Sequence, residues 1–173
     1  MPLLKKIRTK AGRKPSPSYG IIDSQSIKTT SASDCRGFDG GKKVKGRKRH
    51  IVVDTMGNLL AIIVHAANIH DTKAGIGPAL AAYAKYPTIK KFGGDCGYRK
   101  TFIENVADKL GIGVDISPKI SPQDGVSPKR WIVERTLSWA NHSRRLSKDY
   151  EISTLSAVNM FMVSHISTLL RRF

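Results

Sequence analysis

Ile51-Val52-Val53-Asp54-Thr55-Met56-Gly57-Asn58-Leu59-Leu60-Ala61-Ile62-Ile63-Val64-His65-Ala66 is the stretch on which the fold turns. Ile51 to Asp54 is short, apolar and β-branched, which favours an extended strand. Thr55-Met56-Gly57-Asn58 has the composition of a turn. Leu59 to Ala66 is apolar again and long enough to be the returning strand of a hairpin. Upstream, Tyr19 to Ile27 opens on an apolar run leading into Asp23 and reads as a buried strand. Residues 28–41 are rich in Ser, Thr, Gly and Asp and read as a long loop. Between that loop and the hairpin lies the densest basic run, Lys42-Lys43-Val44-Lys45-Gly46-Arg47-Lys48-Arg49-His50.

Downstream the pattern alternates. Asp71 to Tyr86 is Ala-rich and helical in character, with Pro78 best placed near a helix start. Ile89 to Gly94 is a short strand that delivers Asp95 at its end. Gly97 breaks it, and Tyr98 to Leu110 forms a helix closed by Gly111. Val114-Asp115-Ile116 is another short strand, followed by a Pro/Ser loop from Ser117 to Ser127. Pro128 opens a helix carrying Trp131 to Arg145, with Ser127 as its cap. A last amphipathic helix, about Ser153 to Arg172, covers the core. Three extended segments followed by alternating strands and helices imply an α/β fold. The expectation is a ribonuclease-H-like mixed sheet with helices on both faces. Residues 1–18, basic and Pro/Ser-rich, read as a flexible arm or linker, and 19–173 as one domain.

The charge narrows the function. The 173 residues hold 30 Lys+Arg against 13 Asp+Glu, a net charge of +17. Such an excess costs self-repulsion and calls for a polyanionic partner, most often nucleic acid. A structural RNA-binding protein would show the same balance. Cys35 and Cys96 are the only cysteines and form no CxxC or zinc spacing, which suits a reducing cytosol. The N-terminus lacks the apolar run of a signal peptide. The most hydrophobic stretch, Met160 to Leu170, is interrupted by Ser164, His165, Ser167 and Thr168, so it reads as a buried helix and not a membrane span. A cytoplasmic protein, associated with the nucleoid when bound to DNA, is expected.

Three acids stand out. Asp23 ends an apolar run, Asp95 ends a strand, and Glu134 sits in the apolar helix segment Trp131-Ile132-Val133-Glu134. A carboxylate beside buried residues is unfavourable unless something positive compensates it. Each alone also has a structural reading: Asp23 and Asp95 as loop caps, Glu134 as the helical partner of Arg130. Three together, in a chain with few acids, suggest hard oxygen ligands for Mg²⁺. Arg130, Glu134, Asn141 and Arg145 are spaced to share one helix face, which could set the acid on a metal and the arginines on phosphates. The basic run, through Lys42, Lys43, Lys45, Arg47, Lys48 and Arg49, offers further phosphate contacts. Trp131 and Trp139 are expected in the core. Asp54 is expected to start the hairpin turn and Asp71 to cap the following helix. None of the five histidines has metal spacing.

Several linked blocks resemble the DDE transposases of bacterial insertion sequences, in the type-five group. Ile21-Ile22-Asp23-Ser24-Gln25-Ser26-Ile27-Lys28-Thr29 resembles the first catalytic block. Gly46 to His50 with Val53-Asp54-Thr55-Met56-Gly57 resembles the family's hairpin, and Ala67-Asn68-Ile69-His70-Asp71 the segment closing it. Gly94-Asp95-Cys96-Gly97-Tyr98-Arg99 resembles the second catalytic block. Arg130 to Thr136 with Trp139, then Arg144-Arg145, resembles the third. The resemblance implies a ribonuclease-H-like catalytic core that cuts and joins DNA at insertion-sequence ends and in target DNA. It makes Asp23, Asp95 and Glu134 the catalytic metal ligands for Mg²⁺, with Mn²⁺ able to substitute. It also implies a homodimer on DNA.

Arg130 and Glu134 match the Arg and Glu of a Tyr-Arg-Glu-Lys signature found in related transposases. Ser127 stands where that signature has Tyr, and Asn141 where it has Lys. Arg144 or Arg145 is the expected substitute for the Lys. About twenty residues precede Asp23, where family members commonly carry a helical DNA-binding region. The chain therefore resembles a downstream half that works with an upstream-encoded N-terminal part, or a truncated remnant that only binds DNA.

Overall fold

The computed structural model describes residues 2–118 and 128–171. Six strands form one mixed sheet. They are β1 (Tyr19–Lys28), β2 (Gly37–Asp39), β3 (Val44–Val53), β4 (Leu59–Ala66), β5 (Lys91–Gly94) and β6 (Gly113–Ile116). β3 runs antiparallel to β1, β2 and β4, whereas β5 lies parallel to both β1 and β6. β1 is therefore the hinge between an antiparallel half, built from the expected hairpin, and a parallel half.

The sheet's side chains alternate, so each face builds its own core. On one face Ile22, Val52, Phe92 and Ala61 meet α3 (Ile76–Lys85) and α4 (Thr101–Leu110) through Ala79, Ala82, Phe102 and Val106. On the other, Ile21, Ile51 and Val53 meet α5 (Pro128–Asn141), α6 (Arg144–Ser147) and α7 (Thr154–Leu170) through Val133, Leu137, Leu146 and Phe161. Helices thus cover both faces, as the element order implied. The short α2 (Asp71–Ala74) precedes α3, and Pro78 is the third residue of α3. Among the described residues, no helix is long and apolar enough to cross a membrane.

Five expectations are corrected. First, the N-terminal segment is not a loose arm along its whole length. Pro2–Lys10 forms α1, which buries Leu4 and Ile7. Its Arg8 reaches the fully buried Asp54 in an ion pair. Asp54 does organise the hairpin turn: its Oδ1 accepts the backbone N–H groups of Met56 and Asn58, both at 2.9 Å.

Second, β3 begins seven residues earlier than the apolar run, at Val44, and carries the basic run into the sheet. Arg47 and Arg49 are 0 % exposed. Arg47 pairs with Asp34 at 2.5 Å and Asp149 at 3.3 Å and donates to the Glu151 carbonyl at 3.0 Å. Arg49 donates to the Leu146 carbonyl at 2.7 Å. Lys48, also buried, bonds Asp71 at 3.0 Å. All three cations are buried and turned inward, away from phosphates: Arg47 and Lys48 are held by carboxylates, and Arg49 by one carbonyl, with its Nε and Nη2 left without a partner among the described residues. Lys42, Lys43 and Lys45 stay exposed.

Third, the helix that begins at Pro128 ends at Asn141, so Arg144 and Arg145 lie on the separate α6. Arg145 pairs with Glu151 at 2.5 Å and does not extend the Glu134 face. The proposed cap Ser127 lies outside the described residues. Fourth, Trp131 is half exposed, and Arg135 stacks on both tryptophan rings, 4.4 Å from Trp131 and 4.7 Å from Trp139. Fifth, His70 caps α2, not Asp71, whose carboxylate is taken by Lys48 and Ser24.

Candidate active site

Where β1 and β5 run parallel, the first half of β1, the C-terminal end of β5 and the start of α5 enclose a cleft of about 420 Å³. Its lining includes Asp23, Asp95, Asp115, Lys129, Arg130 and Val133. Asp23 sits mid-strand on the face covered by α5, because Ile21 and Ile51 on that face pack under the helix. Asp95 leaves the end of β5 and caps a single turn of 3-10 helix, Cys96–Tyr98; its Oδ1 accepts the Gly97 N–H at 2.8 Å. Glu134 follows Val133, which is buried in the sheet-facing core, and so stands at the edge of α5.

The electrostatics tie the three together. Burial pushes the Asp23 carboxyl up to about 7. A hydrogen bond from the Ser24 N–H (2.7 Å) and the charge of Lys42 work against this, while the negative charges of Asp95 and Glu134 add to it. Asp23 thus feels both other acids, and the cations around it do not make up for its burial. Glu134 is engaged by Arg130, whose Nε donates to Oε1 at 2.7 Å across one helical turn. The structural reading of that pair is therefore also realised. Among the described residues, no three His, Cys, Asp or Glu side chains are close enough to form a closed metal-ligand set. The donor chemistry nevertheless fits a hard divalent cation: oxygen ligands only, an under-compensated carboxylate, and open space beside it.

The cleft holds residues that motif reading passed over. Asp115 on β6 accepts from Lys91 at 3.1 Å and from the Tyr19 hydroxyl at 3.0 Å. Burial raises its pKa, but those bonds outweigh it, and the carboxyl stays below the usual range. Lys129 lies 4.4 Å over the Tyr19 ring and 3.8 Å from Asp115. The alternation of β1 and β6 could have flagged Tyr19 and Asp115 as cleft residues; no motif did. Asn141, at the far end of α5, accepts from the Gln25 side chain at 3.3 Å.

Residues 14–169 match the model of the transposase DDE domain. The chain belongs to the DDE transposase family. It is 30 % identical over 118 residues to the inferred transposase for insertion sequence element IS402 of Burkholderia cepacia. That match covers 61 % of the chain and 54 % of the relative, so the chain matches about half the length of this curated protein. Its fold is similar to the catalytic core domain of BIV integrase, with a TM-score of 0.52 at 12 % identity, covering 87 % of this chain and 82 % of that one. The fold is accordingly ribonuclease-H-like, as the element order suggested, and the chain carries a transposase DDE domain.

Proposed function

We propose that this transposase domain cleaves insertion-sequence ends and joins them to target DNA, with Asp23, Asp95 and Glu134 as its metal-binding carboxylates. The observation that carries the reading is the electrostatic convergence at Asp23. Asp95 after β5 and Glu134 on α5, distant in sequence, both act on the Asp23 carboxyl of β1, and Asp23 and Asp95 line an open cleft. Clustered like charges of this kind are a common mark of a functional site. Mg²⁺, or Mn²⁺ in its place, would supply activation of the attacking hydroxyl and neutralisation of charge on the phosphodiester.

The chain's own groups do the rest. Asp23 and Asp95 both line the cleft, and each has one carboxylate oxygen fixed by a backbone N–H donor. Arg130 and Lys129, exposed at its rim, supply positive charge for phosphate. Lys42, Lys43 and Lys45 extend the basic surface, and Arg144 on α6 adds to it. The DNA partner would be the element end and then the target. A homodimer on DNA and an upstream-encoded N-terminal part belong to the same proposal.

One observation favours the alternative of a remnant that only binds DNA: Glu134 is held by Arg130 and the carboxylates form no closed set. The two readings separate in a cleavage assay on element-end DNA with Mg²⁺, with EDTA, and with the upstream region supplied in trans. Metal-dependent nicking supports the transposase reading. Retained DNA binding with no nicking under any of these conditions supports the remnant.

A further inference from the structure

The backbone ladder does not hold the two aspartates together. β1 and β5 pair only at Tyr19, Gly20 and Ile21, opposite Lys91, Phe92 and Gly93. The ladder stops two residues short of Asp23 and of Asp95, so something else must set the separation of these carboxylates.

Tyr98 is placed to do so. It closes the turn that Asp95 caps, with its N–H on the Asp95 carbonyl at 3.1 Å. Its ring is 1 % exposed and fills a slot that two glycines leave open. A Cβ on Gly94 would come within 3.0 Å of the ring and one on Gly75 within 2.9 Å. Phe102 meets it edge-on at 5.2 Å.

The hydroxyl of Tyr98 starts a chain of hydrogen bonds across the sheet. It lies 2.6 Å from His50 Nε2; His50 Nδ1 lies 3.2 Å from His65 Nε2; His65 Nδ1 lies 2.9 Å from the Ala66 carbonyl. A carbonyl oxygen only accepts, so His65 carries its proton on Nδ1 and its Nε2 accepts. His50 must then donate from Nδ1, and its Nε2 accepts from Tyr98. Each bond has a single direction, provided both rings are neutral. Burial favours that neutrality, holding His50 down to about 3 and His65 below its usual value. His50 is the register partner of Ser24, the neighbour of Asp23, and the Ser24 hydroxyl is itself fixed on Asp71 at 2.9 Å.

We propose that Tyr98, His50 and His65 are positioning residues that lock the Asp95 turn to the strand pair carrying Asp23, and so fix the distance between these two carboxylates. The proposal rests on the reading of Asp23 and Asp95 as metal ligands. Groups that orient metal ligands without touching the metal typically contribute about ten- to a hundredfold in affinity.

Mn²⁺ binding to the DNA-free protein, followed by electron paramagnetic resonance, tests it alongside ¹⁵N spectra of the histidine rings. Wild type should show His50 and His65 as neutral, Nδ1-protonated tautomers. Tyr98→Phe, which keeps the ring, should fold normally by circular dichroism yet weaken Mn²⁺ binding about tenfold or more. Should Tyr98→Phe fail to fold, His65→Gln, at the edge-strand end of the chain, should weaken binding in the same direction. Nε2-protonated tautomers, or unchanged Mn²⁺ affinity in the folded variants, would overturn the positioning role. Asp23→Asn and Asp95→Asn separate the two levels. If these lose Mn²⁺ while Tyr98→Phe does not, only the positioning role falls. If they bind as wild type does, the metal reading falls and takes this proposal with it.

Discussion

Replacing Arg8 by Met tests whether the N-terminal helix is part of the domain. The Asp54 side chain is 0 % exposed and that of Arg8 6 %. Asp54 accepts three other hydrogen bonds, from the backbone of Met56 and Asn58 and from the Asn58 side chain, each 2.9 Å. Arg8 also donates from Nε to the Lys14 carbonyl at 2.8 Å. Removing one partner of a buried ion pair costs about 3–5 kcal/mol, because the other charge is left without its counter-ion. The three remaining donors put this case at the low end, about 3 kcal/mol. With a urea m-value of about 2 kcal/mol per M, the unfolding midpoint should fall by about 1.5 M. Lys6→Met, an exposed change on the same helix, should leave the midpoint nearly where it was. Equal, small shifts in the two variants would show that α1 does not dock and that the ion pair contributes nothing.

Three further outcomes can be checked with simple assays. His50 is neutral in the fold with a pKa of about 3, against about 6.5 in the unfolded chain. Between those values the unfolded chain binds a proton that the folded one does not, so stability should fall as pH drops from about 6.5 towards 3. His50→Gln should lose about one proton of that dependence, and an unchanged slope would clear His50. Arg47→Met should destabilise by about 3–5 kcal/mol because it strands the buried Asp149, whereas Lys45→Ala should change stability by less than about 0.5 kcal/mol; similar denaturation midpoints would contradict the burial of Arg47. Replacing Lys42, Lys43 and Lys45 together by Ala should flatten the dependence of DNA affinity on salt by up to about 3 in log–log slope, and no flattening would remove them from the DNA surface.

The hairpin, the parallel strands and the long helices were legible because apolar side chains repeat at the period of the element they build. Asp23 and Asp95 were legible for the same reason, since each ends or interrupts such a run. The start of β3 was not. Arg47, Lys48 and Arg49 look like solvent-facing charges in any local window. Their burial depends on partners such as Asp34, Asp71, Asp149 and the Leu146 carbonyl, 13 to 102 residues away. Helix α1 was hidden likewise: Leu4, Ile7 and Arg8 make one buried face, but five other cations among residues 5–14 mask it, and its anchor Asp54 is 46 residues on. The break after Asn141 lacks a Gly or Pro to announce it, so spacing alone carried Arg145 onto the Glu134 face. Tyr98 and His50 fell inside recognised motifs, yet their contact joins β3 to the turn after β5, and no spacing within either motif encodes it.

The most direct test of the central claim is metal-dependent cleavage of element-end DNA by Asp23→Ala, Asp95→Ala and Glu134→Ala, measured beside their DNA affinity. The expected result is loss of cleavage in all three, by several orders of magnitude in rate, with DNA binding largely kept. Near-full cleavage by any one of them would contradict its place among the metal-binding carboxylates.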